Sequence, residues 1–164
     1  MKAQLIFRSS LLLVLLLVVA SGCKKPTYST QAEFGSSLDG LNGSWRLTKV
    51  TETDEVIKVA TKPSLDITSF SLGGGSYSLT FNKVTKQYTA SGTVQPDFLG
   101  TSGTFAFDNP DYPSAIIFTN AAGTKFTMTL GLPVRAEYNN PLLLKWTHQL
   151  RTKKGVTYGY TFSR

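Results

Sequence analysis

The length, charge and cysteine content of the chain exclude several classes of protein. At 164 residues with a net charge of +7, the chain has room for one ordinary domain with a single core. Its positive residues are scattered, without the basic stripe of a nucleic-acid-binding protein. Cys23 is the only cysteine, so no internal disulfide can form and stability must come from the packing of that core.

Residues 1–22 have the pattern of an export signal. Lys2 and Arg8 give a basic start, and residues 11–20 form an uninterrupted run of ten apolar residues. As a helix, such a run covers about 15 Å, half of a hydrocarbon core about 30 Å thick. It is too short to span a bilayer comfortably, and it matches the apolar segment of a secretory signal. We therefore expect it to be removed from the mature protein.

A short motif follows the apolar run. Residues 20–23 read Ala-Ser-Gly-Cys, which resembles the lipobox of bacterial lipoprotein precursors, although Ala20 stands where Leu is usual. The resemblance implies that Cys23 receives lipid, becomes the mature N-terminus and holds the protein at a membrane, since two or more acyl chains anchor stably. Lys24 and Lys25 stand where surface-exported Bacteroidetes-type lipoproteins tend to have acidic residues, which favours the periplasmic side of the outer membrane. A buried N-terminal helix and a plain cleaved signal with an incidental cysteine are the alternatives.

The remaining chain divides into a tether and a β domain. Residues 23–40 predict a polar tether, because they contain Pro, Gly and Ser and show no sustained periodicity. Residues 41–164 consist of short alternating segments rich in Thr and Tyr, which favours strands. The predicted strands cover residues 41–51, 54–60, 77–82, 86–91, 102–108, 114–120, 124–131, 133–139, 142–151 and 155–164, and residues 64–72 allow a turn of helix. Eight to ten strands predict an all-β, up-and-down antiparallel barrel, with a β-sandwich as the alternative.

A second motif opens the first predicted strand. Gly43, Ser44 and Trp45 resemble the G-x-W motif near the start of lipocalin-like barrels. In that family the Trp packs across the base of the barrel, often against a basic residue near the end of the last strands. Arg151 and Arg164 both satisfy that description. The whole arrangement resembles the small lipocalin-like lipoproteins of Bacteroidetes: it has a lipobox, a tether, an L-x-G-x-W opening and a terminal Y-x-F strand. No other lipocalin motif is present in the sequence.

No residue pattern predicts catalysis, a metal or a cofactor. The three glycines at 73–75 precede a strand, whereas a phosphate loop needs a following helix. His148 is the only histidine, and imidazole metal sites and nucleophilic triads need further partners. Asp108 and Asp111, with Asn109 between them, could chelate calcium, but the EF-hand pattern is absent and the flanking prolines suit an ordinary turn.

The aromatic content gives the functional hypothesis. The chain has ten Phe, seven Tyr and two Trp, and a subset that lined a barrel mouth would bind an apolar or ring-shaped ligand. Our predicted interior, ligand-binding positions are Trp146, His148, Tyr88, Phe105 and Phe126. The first hypothesis is a membrane-anchored, non-enzymatic lipoprotein that binds a small apolar ligand or a lipid. The second is a structural or interaction lipoprotein with a filled barrel, which binds a protein or a glycan on its outer surface.

Overall fold

One antiparallel sheet of nine strands forms the domain. The computed structural model describes residues 36–57, 61–94, 99–136, 138–150 and 153–164. The strands are β1 (Gly43–Asp54), β2 (Ser64–Asp66), β3 (Tyr77–Asn82), β4 (Gln87–Gly92), β5 (Ser102–Phe107), β6 (Ala115–Asn120), β7 (Lys125–Leu130), β8 (Leu142–Leu150) and β9 (Lys153–Ser163). Pairing of β1 with β9 closes eight of them into a barrel, and β2 lies against β1 outside that circuit. The predicted lipocalin-like up-and-down barrel is confirmed, and the sandwich alternative is wrong.

The long strand β1 closes the barrel by having different neighbours along its length. Its first residues pair with β3, its last residues pair with β2, and β9 runs along its other side. A bulge between Leu47 and Lys49 changes which residues face inward. Before the bulge Trp45 and Leu47 are buried, and after it Val50 is the buried residue. Because side chains alternate along a strand, the inward positions beyond Val50 are Glu52 and Asp54.

The barrel interior is filled largely by aromatic rings. Phe81 meets Phe105 edge-on at 5.1 Å between ring centroids, and Tyr88 meets Phe118 edge-on at 5.2 Å. Edge-to-face contacts of this kind are the preferred geometry of aromatic pairs. Every described member of the hydrophobic core lies between Leu41 and Phe162. The segment 26–164 therefore contains the packing that the barrel needs to fold.

One end of the barrel is covered by a short helix, α1 (Ser37–Leu41). Leu41 is fully buried, and the indole Nε1 of Trp45 donates a hydrogen bond to its carbonyl at 2.8 Å. The guanidinium carbon of Arg164 lies 4.5 Å from the centroid of the Trp45 ring. The same guanidinium donates to the backbone carbonyls of Gly40 and Asn42. We call this the closed end.

Arg164 is thus the arginine that packs on Trp45. Arg151 lies outside the described residues, as do residues 1–35 with Cys23, the predicted export signal and most of the predicted tether. Gly43 has φ of +112°, a conformation that side-chain-bearing residues rarely adopt, which explains the glycine of the G-x-W motif.

The structure corrects four details of the predicted elements. Residues 133–136, 138 and 139 form a loop, although 133–139 was predicted as a strand, and residues 55–57 are bends, although 54–60 was predicted as one. α1 lies mostly within the predicted tether, and the three-residue β2 was not predicted. A helix, α2 (Thr68–Leu72), confirms the predicted helical turn. Gly73 and Gly74 end it with positive φ angles, so the glycine run is a turn.

Candidate functional site

The side chains that face the barrel interior become less buried toward the end of the barrel opposite α1. On β8, Leu144 is fully buried, Trp146 is half-buried and His148 is exposed. On β9, Phe162 is buried, whereas Tyr160 and Tyr158 are half-buried. The core packing therefore stops partway along these strands, and we call this the open end. The open ends of β-barrels are where such folds commonly bind ligands.

Strand register places the open-end side chains in two rows. Glu52 of β1 is opposite Tyr158 of β9, which is opposite Trp146 of β8. In the next row Asp54 is opposite Val156, and Val156 is opposite His148. Residues directly opposite in an antiparallel pair share a face and lie within about 5.5 Å at Cβ. Each row is therefore a continuous line of side chains across three strands.

The aromatic groups of these rows are in ring contact. The Trp146 and Tyr158 rings are stacked, with centroids 6.1 Å apart and planes at 22°. The Trp146 ring also lies 5.7 Å from the His148 ring, at 59°. Together the three form a half-exposed aromatic wall on the inner side of β8 and β9.

A seam opens beside this wall, between β7 and β8. The two strands pair only at Thr129–Lys145 and Leu130–Leu144. Continuing that register would pair Thr127 with Thr147, but no pairing is present between these described segments. Phe126 shares a face of β7 with the buried Met128 and is partly buried against the core. The seam is therefore bordered by aromatic side chains on both strands.

Two carboxylates occupy the β1 side of the open end. Among the described residues Glu52 has no hydrogen bond or ion pair, and the only group that Asp54 accepts from is the backbone N–H of Val56, at 2.7 Å. Deeper in the barrel, burial is the main cause that raises the pKa of Tyr160 to about 12, and the neighbouring Tyr158 phenol adds to it. Among the described side chains, the open end thus combines aromatic faces with two carboxylates that have no cationic partner.

One buried polar group lies at the base of this region. Tyr77 is 1% exposed, and its hydroxyl has no hydrogen-bond partner among the described residues. Burial raises the pKa of Tyr77 well above the usual value, and the charges of Tyr88 and Tyr160 raise it further. Buried hydroxyls are nearly always paired, so this donor can satisfy an acceptor brought by a ligand or a water molecule.

The structure separates the five predicted ligand-binding residues into two groups. Trp146, His148 and Phe126 lie at the open end, around the wall and the seam. Tyr88 and Phe105 lie in the packed core, where the Tyr88 hydroxyl donates to the Leu99 carbonyl at 2.6 Å. That bond fastens the β4–β5 connection, so both side chains stabilise the barrel. Contact of the five with a ligand stays a prediction.

Sequence reasoning missed three residues of this region: Glu52, Tyr158 and Tyr77. Tyr158 alternates with Tyr160 and Phe162 along the last strand, and the sequence does not distinguish the three. Its cross-strand pairing with Trp146 is what places Tyr158 at the site. Glu52 is hidden by the bulge in β1, because a regular alternation from Trp45 would point it outward. No sequence signal distinguishes an unpaired buried hydroxyl such as that of Tyr77.

Two further concave surfaces lie outside the barrel interior. At the closed end, a groove of about 330 Å³ is bordered by α1, the β5–β6 loop and the β7–β8 loop. On the outer face of β4, β5 and β6, a groove of about 320 Å³ is lined mainly by uncharged polar residues. Neither contains an unpaired buried polar group or a cluster of titratable side chains.

The loop that contains Asp108, Asn109 and Asp111 is built as a turn, the interpretation that its flanking prolines favour. The Asp108 carboxylate accepts from the Ser114 hydroxyl at 2.5 Å and from the backbone N–H groups of Ser114 and Ala115, both at 2.9 Å. The Ser114 hydroxyl bond is the main cause that lowers the pKa of Asp108 to about 2. In the part of the chain that the structure describes, no three His, Cys, Asp or Glu side chains are grouped to hold a metal ion.

Comparisons with protein-family models, curated proteins and solved structures found no match. Neither of the two described helices is long and apolar enough to cross a bilayer. The assignment of function therefore depends on the open end of the barrel and on the sequence motifs before it.

Proposed function

We propose that the protein is a membrane-anchored lipoprotein of the cell envelope whose barrel binds a small apolar ligand or a lipid at the open end. The observation that carries the proposal is the half-exposed aromatic wall of Trp146 and Tyr158 beside the seam between β7 and β8. Water-exposed aromatic faces inside a concave surface are favourable binding partners for apolar and ring-shaped molecules.

The depth of the packed core limits the size of the ligand. Leu142, Leu144 and Phe162 are buried at the closed half of β8 and β9, so a ligand reaches no deeper than the layer of Tyr160. We expect it to lie against the wall, with an apolar part in contact with Tyr160 and Phe126. The unpaired Tyr77 hydroxyl beneath favours a ligand that also carries a hydrogen-bond acceptor.

The anchoring part of the proposal depends on the lipobox-like residues 20–23. Acylated Cys23 would hold the barrel at a membrane through the polar residues that follow it in the sequence. Lys24 and Lys25 favour the periplasmic side of the outer membrane. Growing cells with a fatty-acid analogue tests the anchor: the wild-type protein should carry the label, and Cys23→Ala should lose it. Undiminished label in the variant would contradict the lipoprotein assignment.

Native mass spectrometry of residues 26–164 tests ligand binding. We expect a bound small molecule that leaves on denaturation, or thermal stabilisation by members of a lipid panel. Trp146→Ala should weaken binding of the small molecule at least tenfold, because it removes the largest ring of the aromatic wall. Tyr138→Ala, which removes an exposed aromatic residue in the β7–β8 loop next to the closed end, is the matched control and should have no effect. A clean apo mass without stabilisation by any lipid would refute binding in the barrel.

Two observations favour the second hypothesis, an interaction lipoprotein: the packed interior of the barrel and an exposed apolar segment. Three large apolar side chains are strongly exposed on the segment from the end of β1 to α2: Val56 at 58%, Leu65 at 66% and Phe70 at 90%. Exposed apolar residues on one segment are a feature of protein-binding surfaces. If the barrel is empty and binds no lipid, Phe70→Ser should abolish capture of a partner from the cell envelope and leave the melting temperature unchanged.

A further inference from the structure

We infer that the open end selects a ligand with an organic cation, a protonated or quaternary amine, attached to an apolar body. This inference rests on the proposed binding function and names the chemical class of its ligand. It follows from the row Glu52, Tyr158 and Trp146, which brings a carboxylate and two stacked aromatic rings onto one inner face.

The geometry of the row suits a cation at the aromatic faces. The Trp146 and Tyr158 planes differ by 22°, so the two rings present nearly parallel faces. The face of an aromatic ring carries negative quadrupole density, and Trp and Tyr attract a cation placed within about 6 Å of the ring centroid. Both rings are half-buried, which leaves part of each available to a ligand and shields the contact from full hydration.

The charge of the open end points in the same direction. Glu52 faces the same side as the wall and has no cationic partner among the described residues, and Asp54 accepts only from a backbone N–H. A half-buried carboxylate without a partner is a favourable site for a ligand cation and repels a ligand carboxylate. By contrast, Glu55, the residue directly after β1, is paired with Lys62. Among the described carboxylates at this end, those of Glu52 and Asp54 are therefore the ones left for a ligand cation.

The layer beneath the row accounts for the apolar body. Val50, Tyr160 and Leu144 are opposite one another one step deeper along β1, β9 and β8. Val50 and Leu144 are buried, and Tyr160 is packed against the core. Since Val50 and Leu144 are covered and Tyr160 is half-buried, a molecule bound with its cation at the wall places its next atoms against the exposed part of the Tyr160 side chain.

The selectivity of residues 26–164 among three probes of equal chain length tests the inference. The probes are dodecyltrimethylammonium, dodecanol and dodecanoate, each below its micellar concentration, with binding followed by calorimetry and by Trp fluorescence. We expect the cation to bind at least tenfold more tightly than the alcohol, and dodecanoate to bind most weakly. Equal binding of cation and alcohol would overturn the inference and leave the proposed function standing. Binding of none of the probes would overturn both.

Glu52→Gln identifies the carboxylate responsible. The substitution keeps the shape of the side chain and removes its charge. We therefore expect it to weaken the binding of dodecyltrimethylammonium about fivefold and to leave the binding of dodecanol unchanged. Asp111→Asn removes an exposed carboxylate from the β5–β6 loop and should alter neither. An unchanged affinity of Glu52→Gln for the cation, with the melting temperature preserved, would contradict the role of Glu52.

Discussion

The buried hydroxyl of Tyr77 provides a test of the site that needs no knowledge of the ligand. Folding removes this hydroxyl from water without a hydrogen-bond partner among the described residues, and such a group costs about 1–3 kcal/mol. Tyr77→Phe removes the hydroxyl and keeps the ring, which lies 6.2 Å from the ring of Phe162. We therefore expect the variant to be more stable than the wild type by about 1 kcal/mol, the lower bound, because the lost atom leaves a small void.

The matched control is the same chemical change at Tyr88. Both tyrosines are 1% exposed, but the Tyr88 hydroxyl donates to the Leu99 carbonyl at 2.6 Å. Tyr88→Phe should lower the free energy of unfolding by about 1–2 kcal/mol, since it removes a hydrogen bond and leaves a carbonyl unpaired. Denaturant unfolding of residues 26–164 measures both changes. In melting temperature, 1 kcal/mol corresponds to about 4 °C for a domain of this size.

Whether Tyr77→Phe raises or lowers the free energy of unfolding decides whether the Tyr77 hydroxyl is unpaired. A loss of 1 kcal/mol or more, similar to that of Tyr88→Phe, would show that the Tyr77 hydroxyl is satisfied by a bound water, and the argument from an unpaired donor would fail. If the apo variant is stabilised and binds the ligand more weakly than the wild type, the hydroxyl serves binding at the expense of stability. If Tyr77→Phe is more stable than the wild type but binds the ligand equally tightly, the Tyr77 hydroxyl affects the stability of the protein and not ligand binding.

Two further predictions concern the closed end and its loops. Arg164→Ala should destabilise the barrel by about 1–2 kcal/mol and shift the fluorescence emission of Trp45 to longer wavelength. The reason is that it removes the cation over the Trp45 ring and two hydrogen bonds to carbonyls of the α1 segment. Arg46→Ala, at an exposed arginine on β1, should have neither effect, and equal effects of the two variants would refute the special role of Arg164. Asp108→Asn should lower the melting temperature at neutral pH. Because folding lowers the pKa of Asp108 from 3.8 to about 2, its stabilisation is present above pH 4 and lost as the pH falls toward 2, so the difference between variant and wild type should close across that window. A difference that persists at pH 2 would contradict the linkage.

Alternation along the strands predicted which face of β8 points inward but not how deep each residue lies. Leu142, Leu144, Trp146 and His148 were placed on one face, and their burial falls steadily along the strand. Depth depends on where neighbouring strands stop pairing, which for β8 is set by β7 at Thr129–Lys145. A period of two residues contains no information about that neighbour. The same limit explains why Tyr88 and Phe105 were grouped with residues of the open end.

Two local features account for the remaining differences. The bulge between Leu47 and Lys49 reverses the alternation of β1, so Glu52 faces inward where a regular strand would turn it out. Residues 133–139 alternate like a strand, but Val134 is buried within the β7–β8 loop. A Cβ on Gly40 of α1 would lie 2.5 Å from the Arg135 backbone, so this loop packs against the helix and its backbone cannot join the sheet there.

The departures from ordinary packing within the described residues concentrate at one end of the barrel. The unpaired Tyr77 hydroxyl, the unpartnered Glu52 carboxylate and the unpaired edges of β7 and β8 each raise the free energy of the empty protein. A ligand that supplies an acceptor, a cation and apolar surface would relieve these costs together. At a free concentration one hundred times its Kd, such a ligand stabilises the folded state by about 2.7 kcal/mol.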